Sequence, residues 1–329
     1  MESNQLKRGK HYTMEVNQAG ISSRKVGDNF EGFMLIKNVT KGLASNSQPF
    51  LTLFLSDDTG TIETKLWGVS EQDVETYTTE TIVHVIGVVS EYRGAIQLNT
   101  SRIRTATPED NIQVIDLLEK APESADFLRN EIVQTILHMK NPVLKQVTQA
   151  FMRRYNNEFF VYPAASNLHH AFVSGLAYHT VSMLRIAKSL CDIYPELNKE
   201  LLYAGIILHD VGKIHEYTSV IDSTTTLNGT LLGHIPIMVA EIKEIAVELQ
   251  MQECEEITVL QHMVLSHHGK PEWGSSRTPL IREAEILHHI DNIDAKINML
   301  NKVISKTDPG AFTEKMYALE GRSFYKPLF

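Results

Sequence analysis

The stretch Leu201 to Lys213, LLYAGIILHDVGK, constrains this chain more than any other. A helix that is hydrophobic all round belongs in a core. This one runs straight into His209 and Asp210, two metal-competent side chains whose burial is costly unless they find a partner. A metal ion is the natural partner, and the remaining ligands must then come from elsewhere in the chain.

At 329 residues, two domains are the default expectation, each long enough to bury its own core. No apolar run is long enough to cross a bilayer, so no membrane partner is expected. The polar start MESNQLKRGKHY has no signal-peptide core, and Cys191 and Cys254 have neither disulfide-framework nor metal-type spacing. A reducing, cytoplasmic location is the expectation. The net charge of −9 argues against nucleic-acid binding by global electrostatics, although bound divalent cations reverse the sign locally.

From Phe30 onward the chain reads as strands separated by turns. Leu51, Leu53 and Leu55 recur with period two, as do Ile62, Thr64 and Leu66. Asp58-Thr59-Gly60 joins those two strands, and Arg93-Gly94 closes a second hairpin. About five short strands in roughly 80 residues predict a small antiparallel barrel. Such a barrel grips single strands by stacking bases on aromatics and neutralising phosphates with Lys or Arg. Trp67 and Tyr92, with Arg93, Arg102 and Arg104, are the candidates for that role, whereas Phe33 and Phe54 are expected to fill the barrel. Residues 1–107 carry 11 Lys plus Arg against 12 Asp plus Glu, so any binding face must be local.

Helices are expected from Asn111 to Glu119, from Ser124 to Met139 and from Asn141 to about Asn156, forming a connector or the opening of a second domain. Lys145, Arg153 and Arg154 read as the solvated face of that connector. Beyond it, 11 of the 14 histidines fall between His169 and His289. His179 replaces a hydrophobe in the stripe Phe172, Leu176, Met183, Ile186, Leu190, and Ile257, Leu260 and Val264 lead down one helix face to His267 and His268. On the last long helix, Ile286, Ile290, Ile293, Ile297, Leu300 and Ile304 make the expected buried stripe, with Asp291 on its flank. A single inward histidine is usually a hydrogen-bonded core residue. Several inward histidines plus two aspartates, delivered by packed helices, are how helical folds build metal centres.

The order H, HD, H, HH, D, here His179, His209-Asp210, His234, His267-His268 and Asp291, resembles the HD-domain metal-dependent phosphohydrolases. The resemblance implies one ion held by His179, His209, Asp210 and Asp291, with Asp210 bridging to a second held by His234, His267 and His268. It implies an all-α domain over residues 161–312, following an OB-fold barrel over residues 1–107 and a connector over 108–160, with a tail over 313–329. The pairing of the two domains resembles the YhaM-type 3′-5′ exoribonucleases of Gram-positive bacteria. That family implies hydrolysis of single-stranded RNA, with single-stranded DNA as a further substrate, to nucleoside 5′-monophosphates. The segment GKPEWGSSRTP after His268 lacks the Gly-Tyr-Pro of the cyclic-dinucleotide phosphodiesterases.

A mixed imidazole and carboxylate set suits Mn²⁺, Fe²⁺, Co²⁺ or Zn²⁺ better than Mg²⁺, and manganese is favoured with the family as support. Asp210 is read as the bridging catalytic carboxylate. Lys213 is read either as a charge facing the phosphate or as a helix-end cation, and His169 and His170 as phosphate contacts at the mouth of the site. His288 or His289 is a weaker candidate for supporting a ligand; His215 and His262 are read as structural. Two other classes stand beside the nuclease: a nucleotide or cyclic-dinucleotide phosphohydrolase, and a non-catalytic single-strand binder. Phe324, Tyr325 and Phe329 in the tail could dock on their own domain or on a second subunit of a homo-oligomer.

Overall fold

The computed structural model describes residues 20–45, 47–164, 172–219 and 224–329. The chain divides into two compact units between Glu119 and Lys120.

In the first unit, strands β1 (Asn29–Leu43), β2 (Pro49–Ser56), β3 (Thr61–Trp67), β4 (Ile82–Tyr92) and β5 (Ala95–Thr105) close into a barrel in the order β1-β2-β3-β5-β4. Every pairing is antiparallel except β3 with β5. Alternation drives Phe30, Met34, Leu51, Leu53, Leu55, Val83 and Val85 into the interior. The β2–β3 turn is held by Asp57, whose carboxylate accepts from the Thr59 and Gly60 N–H groups at 2.9 and 3.0 Å. At the β4–β5 hairpin both Arg93 and Gly94 have positive φ, 52° and 82°, as a two-residue turn with the right twist requires.

Three details of this unit depart from expectation. Phe33 and Phe54 do not fill the barrel: both project from its outer surface, half-buried, because the interior positions of β1 and β2 fall on the opposite phase. A short helix, α1 (Glu71–Thr76), stands between β3 and β4, fixed by a reciprocal Ser70–Asp73 capping box. The helix expected from Asn111 to Glu119 is reduced to single 3₁₀ turns, Pro108–Asp110 and Val114–Leu117, because Asn111 takes the left-handed conformation (φ 48°) between them.

The second unit is helical: α2 (Ala125–Leu137), α3 (Pro142–Arg154), α4 (Gly175–Ile193), α5 (Lys199–Leu208), α6 (Lys213–Glu216), α7 (Leu227–Leu232), α8 (His234–Glu248), α9 (Glu255–Ser266) and α10 (Arg282–Ile304). Helix α5 is the buried centre, with Leu202, Ala204, Ile206, Ile207 and Leu208 all enclosed. Leu128 and Ile132 of α2 and Val147 and Phe151 of α3 belong to the same core, so the helices read as a connector are part of this unit. On α10 the buried residues are Glu283, Ala284, Leu287, His288, Ile290 and Asp294. Ile293 and Ile297 are instead exposed, because the buried arc of α10 runs through Leu287, Ile290 and Asp294 and leaves them on its outer flank. No helix among the described residues is long and apolar enough to cross a membrane.

Candidate metal centre

Five histidines and two aspartates converge where α4, α5, α8, α9 and α10 meet. His209 and His267 are the C-caps of α5 and α9, placed alike at the ends of two packed helices. In each, ring Nδ1 bonds the carbonyl three residues back, Ile206 at 2.8 Å and Val264 at 2.6 Å, which uses an otherwise unpaired helix-end carbonyl. His234 opens α8, His179 lies inside α4 and Asp291 inside α10. Gly212 of the HDVGK stretch is needed for the convergence: a Cβ there would stand 2.3 Å from the His234 carbonyl oxygen, so any larger residue would push α8 away from Asp210.

Ligand-type atoms of His179, His209 and Asp291 lie within 4.8 Å of one another, as do those of His234, His267 and His268. Asp210 stands between the two trios. Its Oδ2 is 3.9 Å from His179 Nε2 and 3.3 Å from His209 Nε2, while its Oδ1 is 3.6 and 3.7 Å from the Nε2 atoms of His234 and His267. One carboxylate oxygen thus serves each trio.

The far side of every ring is anchored. His179 Nδ1 lies 2.7 Å from Asp294 Oδ2, His234 Nδ1 2.6 Å from Glu216 Oε2, and His268 Nδ1 2.7 Å from the Trp273 carbonyl. Carboxylates and carbonyls only accept, so each Nδ1 carries a proton and each ring turns its Nε2 inward. The Nε2 atoms of His209, His234 and His267, with Asp210 Oδ1, are buried and have no hydrogen-bond partner among the described residues. Four inward acceptors in one cavity are costly until a cation meets them. The donor set therefore fits divalent ions.

The electrostatics agree. Burial alone would raise the Asp210 carboxyl, but the adjacent His209 and Lys213 outweigh it and hold Asp210 well below the usual carboxylate range. Asp291 is likewise kept low against its burial by His179. Burial works to lower His179, yet Asp291 and Asp294 on either side push it up to about 10. Without a cation that imidazole keeps a proton where a metal would sit. Burial depresses His267 well below its ordinary value and lowers His268 too, favouring the neutral, ligating form.

Lys213 is buried at the start of α6, and its ammonium donates to Asp210 Oδ2 at 2.7 Å. His288 is buried and its Nδ1 donates to the His267 carbonyl at 2.9 Å, whereas His289 is exposed beside Glu285. His215 bonds Tyr155 and Glu241, and His262 accepts from the Leu280 N–H, both as structural contacts. His169 and His170 lie outside the described residues. Glu216 and Ser182, whose hydroxyl donates to Asp294, support the site without a signal in the sequence. Asp294 did leave a signal, one helical turn after Asp291 on the same face.

On the barrel, Trp67 is 64% exposed and packs on Phe50 with ring centroids 4.9 Å apart. Phe50 and Lys65 share the outer β2–β3 surface with Trp67 and Phe54. Tyr92 is exposed at the β4–β5 tip with the Arg93 guanidinium 5.3 Å from its ring centroid, and Arg102 is exposed on β5. Arg104 is exposed too, with its guanidinium 5.9 Å from the Phe33 ring centroid and in a two-pronged pair with Asp110 at 2.7 and 2.8 Å.

Comparison with known proteins matches residues 176–296 to the HD domain and residues 35–106 to an OB-fold nucleic acid binding domain. A 3′-5′ exoribonuclease YhaM of Geobacillus sp. is 53% identical over 310 residues, covering 94% of this chain and 95% of that protein. The Oceanobacillus iheyensis and Bacillus subtilis proteins of the same name are 52% and 49% identical over 310 residues, covering 94% of this chain and 98% of each relative. With an OB barrel and an HD-type histidine and aspartate centre in one chain, and half its residues shared across nearly the whole length, the chain belongs to the YhaM family of 3′-5′ exoribonucleases.

Proposed function

We propose that this protein is a metal-dependent 3′-5′ exoribonuclease that hydrolyses single-stranded RNA to nucleoside 5′-monophosphates. The observation that carries the reading is Asp210 between two trios, one carboxylate oxygen toward each, in a chain that also carries an OB barrel. His179, His209 and Asp291 would hold one ion, His234, His267 and His268 the other, with Asp210 shared. When bound, such a pair of ions supplies Lewis-acid polarisation of the phosphoryl group and an acidified water for in-line attack. Lys213 keeps Asp210 ionised and aimed, and places a fixed positive charge where the phosphate must sit. Glu216 and Asp294 hold the His234 and His179 rings so that Nε2 faces the centre. The buried surroundings exclude bulk water from the reacting phosphate.

On the barrel, Trp67 with Phe50, and Tyr92 with Arg93, present stackable rings beside cations, and Arg102 adds phosphate contact. Arg104 shapes this surface through Asp110. Manganese is the favoured ion because the mixed sets, two imidazoles with two carboxylates at one position and three imidazoles with the shared carboxylate at the other, suit a borderline cation. Single-stranded DNA is a secondary substrate, since stacking reads no 2′-hydroxyl. Exposed Ile293 and Ile297 support a homo-oligomer, and two free cysteines support a cytoplasmic setting.

Incubation of the purified protein with Mn²⁺ and 5′-labelled RNA tests the reading: a ladder that shortens from the 3′ end is expected. Intact RNA alongside hydrolysed mononucleotides would replace it with an HD-type nucleotide phosphohydrolase. RNA bound but never cut would leave only a single-strand binder.

A further inference from the structure

The segment between His268 and α10, GKPEWGSSRTPLI, is not used by the metal centre except through one backbone atom. Trp273 lies in a short 3₁₀ turn, Pro271–Trp273, and its carbonyl oxygen accepts from His268 Nδ1 at 2.7 Å. Its indole is therefore carried beside a metal-type histidine by the same residue that orients that histidine. The ring is 51% exposed, although an indole of this size ordinarily gains by full burial. It stacks on the His288 imidazole, with centroids 5.8 Å apart and planes at 28°, and the Lys270 ammonium stands 4.7 Å from its centroid.

His288 is in turn fixed from two sides. Its Nδ1 donates to the His267 carbonyl, and Gly269, at φ 82°, packs so closely that a Cβ would fall 2.5 Å from the imidazole ring. The exposed indole thus has a rigid backing tied to both histidines of the HH pair. A stiff, half-exposed aromatic plane next to an ammonium, at the rim of a phosphoryl-transfer centre, is the arrangement that grips a nucleobase and the phosphate beside it.

We propose that Trp273 is the stacking platform for a nucleobase of the RNA 3′ end, with Lys270 contacting the adjoining phosphate. The proposal rests on the exoribonuclease reading and adds a base-binding subsite on the helical unit, separate from the barrel's aromatics. Trp273 acts as a binding and positioning residue, since it faces the base and not the reacting phosphorus. Because stacking accepts any base, the subsite is sequence-tolerant, as a nuclease that digests through every base requires.

The chain has two tryptophans, Trp67 and Trp273, so the metal-loaded Trp67→Phe protein reports on Trp273 fluorescence alone. Titration with RNA carrying a phosphorothioate at its 3′-terminal linkage is expected to quench that emission. With a 5′-labelled RNA trinucleotide, Trp273→Ala is expected to raise KM about tenfold with kcat within about twofold, and Trp273→Phe to recover most of the loss. Bound metal, measured by mass spectrometry, should be unchanged in Trp273→Ala, because the carbonyl that orients His268 remains. Emission indifferent to RNA, or an unchanged KM in Trp273→Ala, would overturn the platform while leaving the nuclease standing. If Trp273→Ala lost its metal, the quenching in the Trp67→Phe protein would decide. Wild-type protein that fails to shorten RNA would instead overturn the exoribonuclease reading, and the subsite with it.

Discussion

The barrel and the helical unit bury polar groups in opposite ways. In the barrel, buried Asp57 accepts from the Ile21, Thr59 and Gly60 N–H groups, and buried Thr64 donates to the Leu98 carbonyl at 2.7 Å. Those groups are satisfied by their own neighbours and hold turns and strands together. In the helical unit, imidazoles are anchored at Nδ1 and turned so that Nε2 atoms converge on one another and on Asp210. The same cost of burial is met locally at Asp57 and Thr64 and left for a cation at the histidine cluster. Aromatic rings thus face outward on the barrel, and ligand-type atoms face inward among the helices.

The largest test of that contrast is Asp210→Ala. It removes the shared carboxylate, leaves Lys213 buried without its counter-charge, and is expected to lower nuclease turnover by about 10³-fold or more, with loss of bound metal on mass spectrometry. RNA affinity of the barrel should survive, which a filter-binding assay would report. Full nuclease activity in this variant would mean that the centre lies elsewhere.

Glu216→Gln and Asp294→Asn sharpen the comparison, because each leaves a metal-facing atom in place and alters only what stands behind it. Each should cost about 10- to 100-fold in metal affinity, Asp294→Asn at the His179 trio and Glu216→Gln at the His234 trio, read by calorimetric titration. Equal loss at both trios from either change would show that the two positions are not separable.

Acidity should separate the regions as well. In the metal-free protein His179, at about 10, is protonated at neutral pH, so a cation must displace about one proton to bind there. Proton and metal compete, and affinity should fall as pH is lowered. Calorimetry in two buffers of different ionisation enthalpy counts the released proton; none released would contradict the assignment of His179.

The smallest expected effect is at the barrel. Trp67→Ala should weaken binding of single-stranded RNA about tenfold and leave metal content unchanged, with stability within about 0.5 kcal/mol because the ring is mostly exposed. A loss of metal from this variant would break the division between outward and inward function.

Much of this is legible in the sequence. Alternation in Leu51, Leu53 and Leu55 placed the strands, and the Asp58-Thr59-Gly60 and Arg93-Gly94 turns marked the hairpins, because backbone periodicity and turn geometry are local. The phase of a lone aromatic was less secure: Phe33 and Phe54 are hydrophobic, yet sit on the outer side of their strands. The α10 stripe failed for a similar reason. Spacing says which residues share a face, but Ile293 and Ile297 stay exposed because neighbouring helices cover a different arc.

The sequence by itself determined the two architectures and the ligand types, since a barrel follows from alternation and a metal centre from histidines and aspartates at the ends and inner edges of apolar helices. Tertiary structure alone decided how those groups divide the work. Asp294 reaches His179 across 115 positions of chain, Asp210 splits its oxygens between two trios, and exposed Arg104 pairs with Asp110. The reason is physical: periodicity fixes direction from a helix or strand, whereas hydrogen bonds and metal-sized gaps depend on ångström distances that only packing sets.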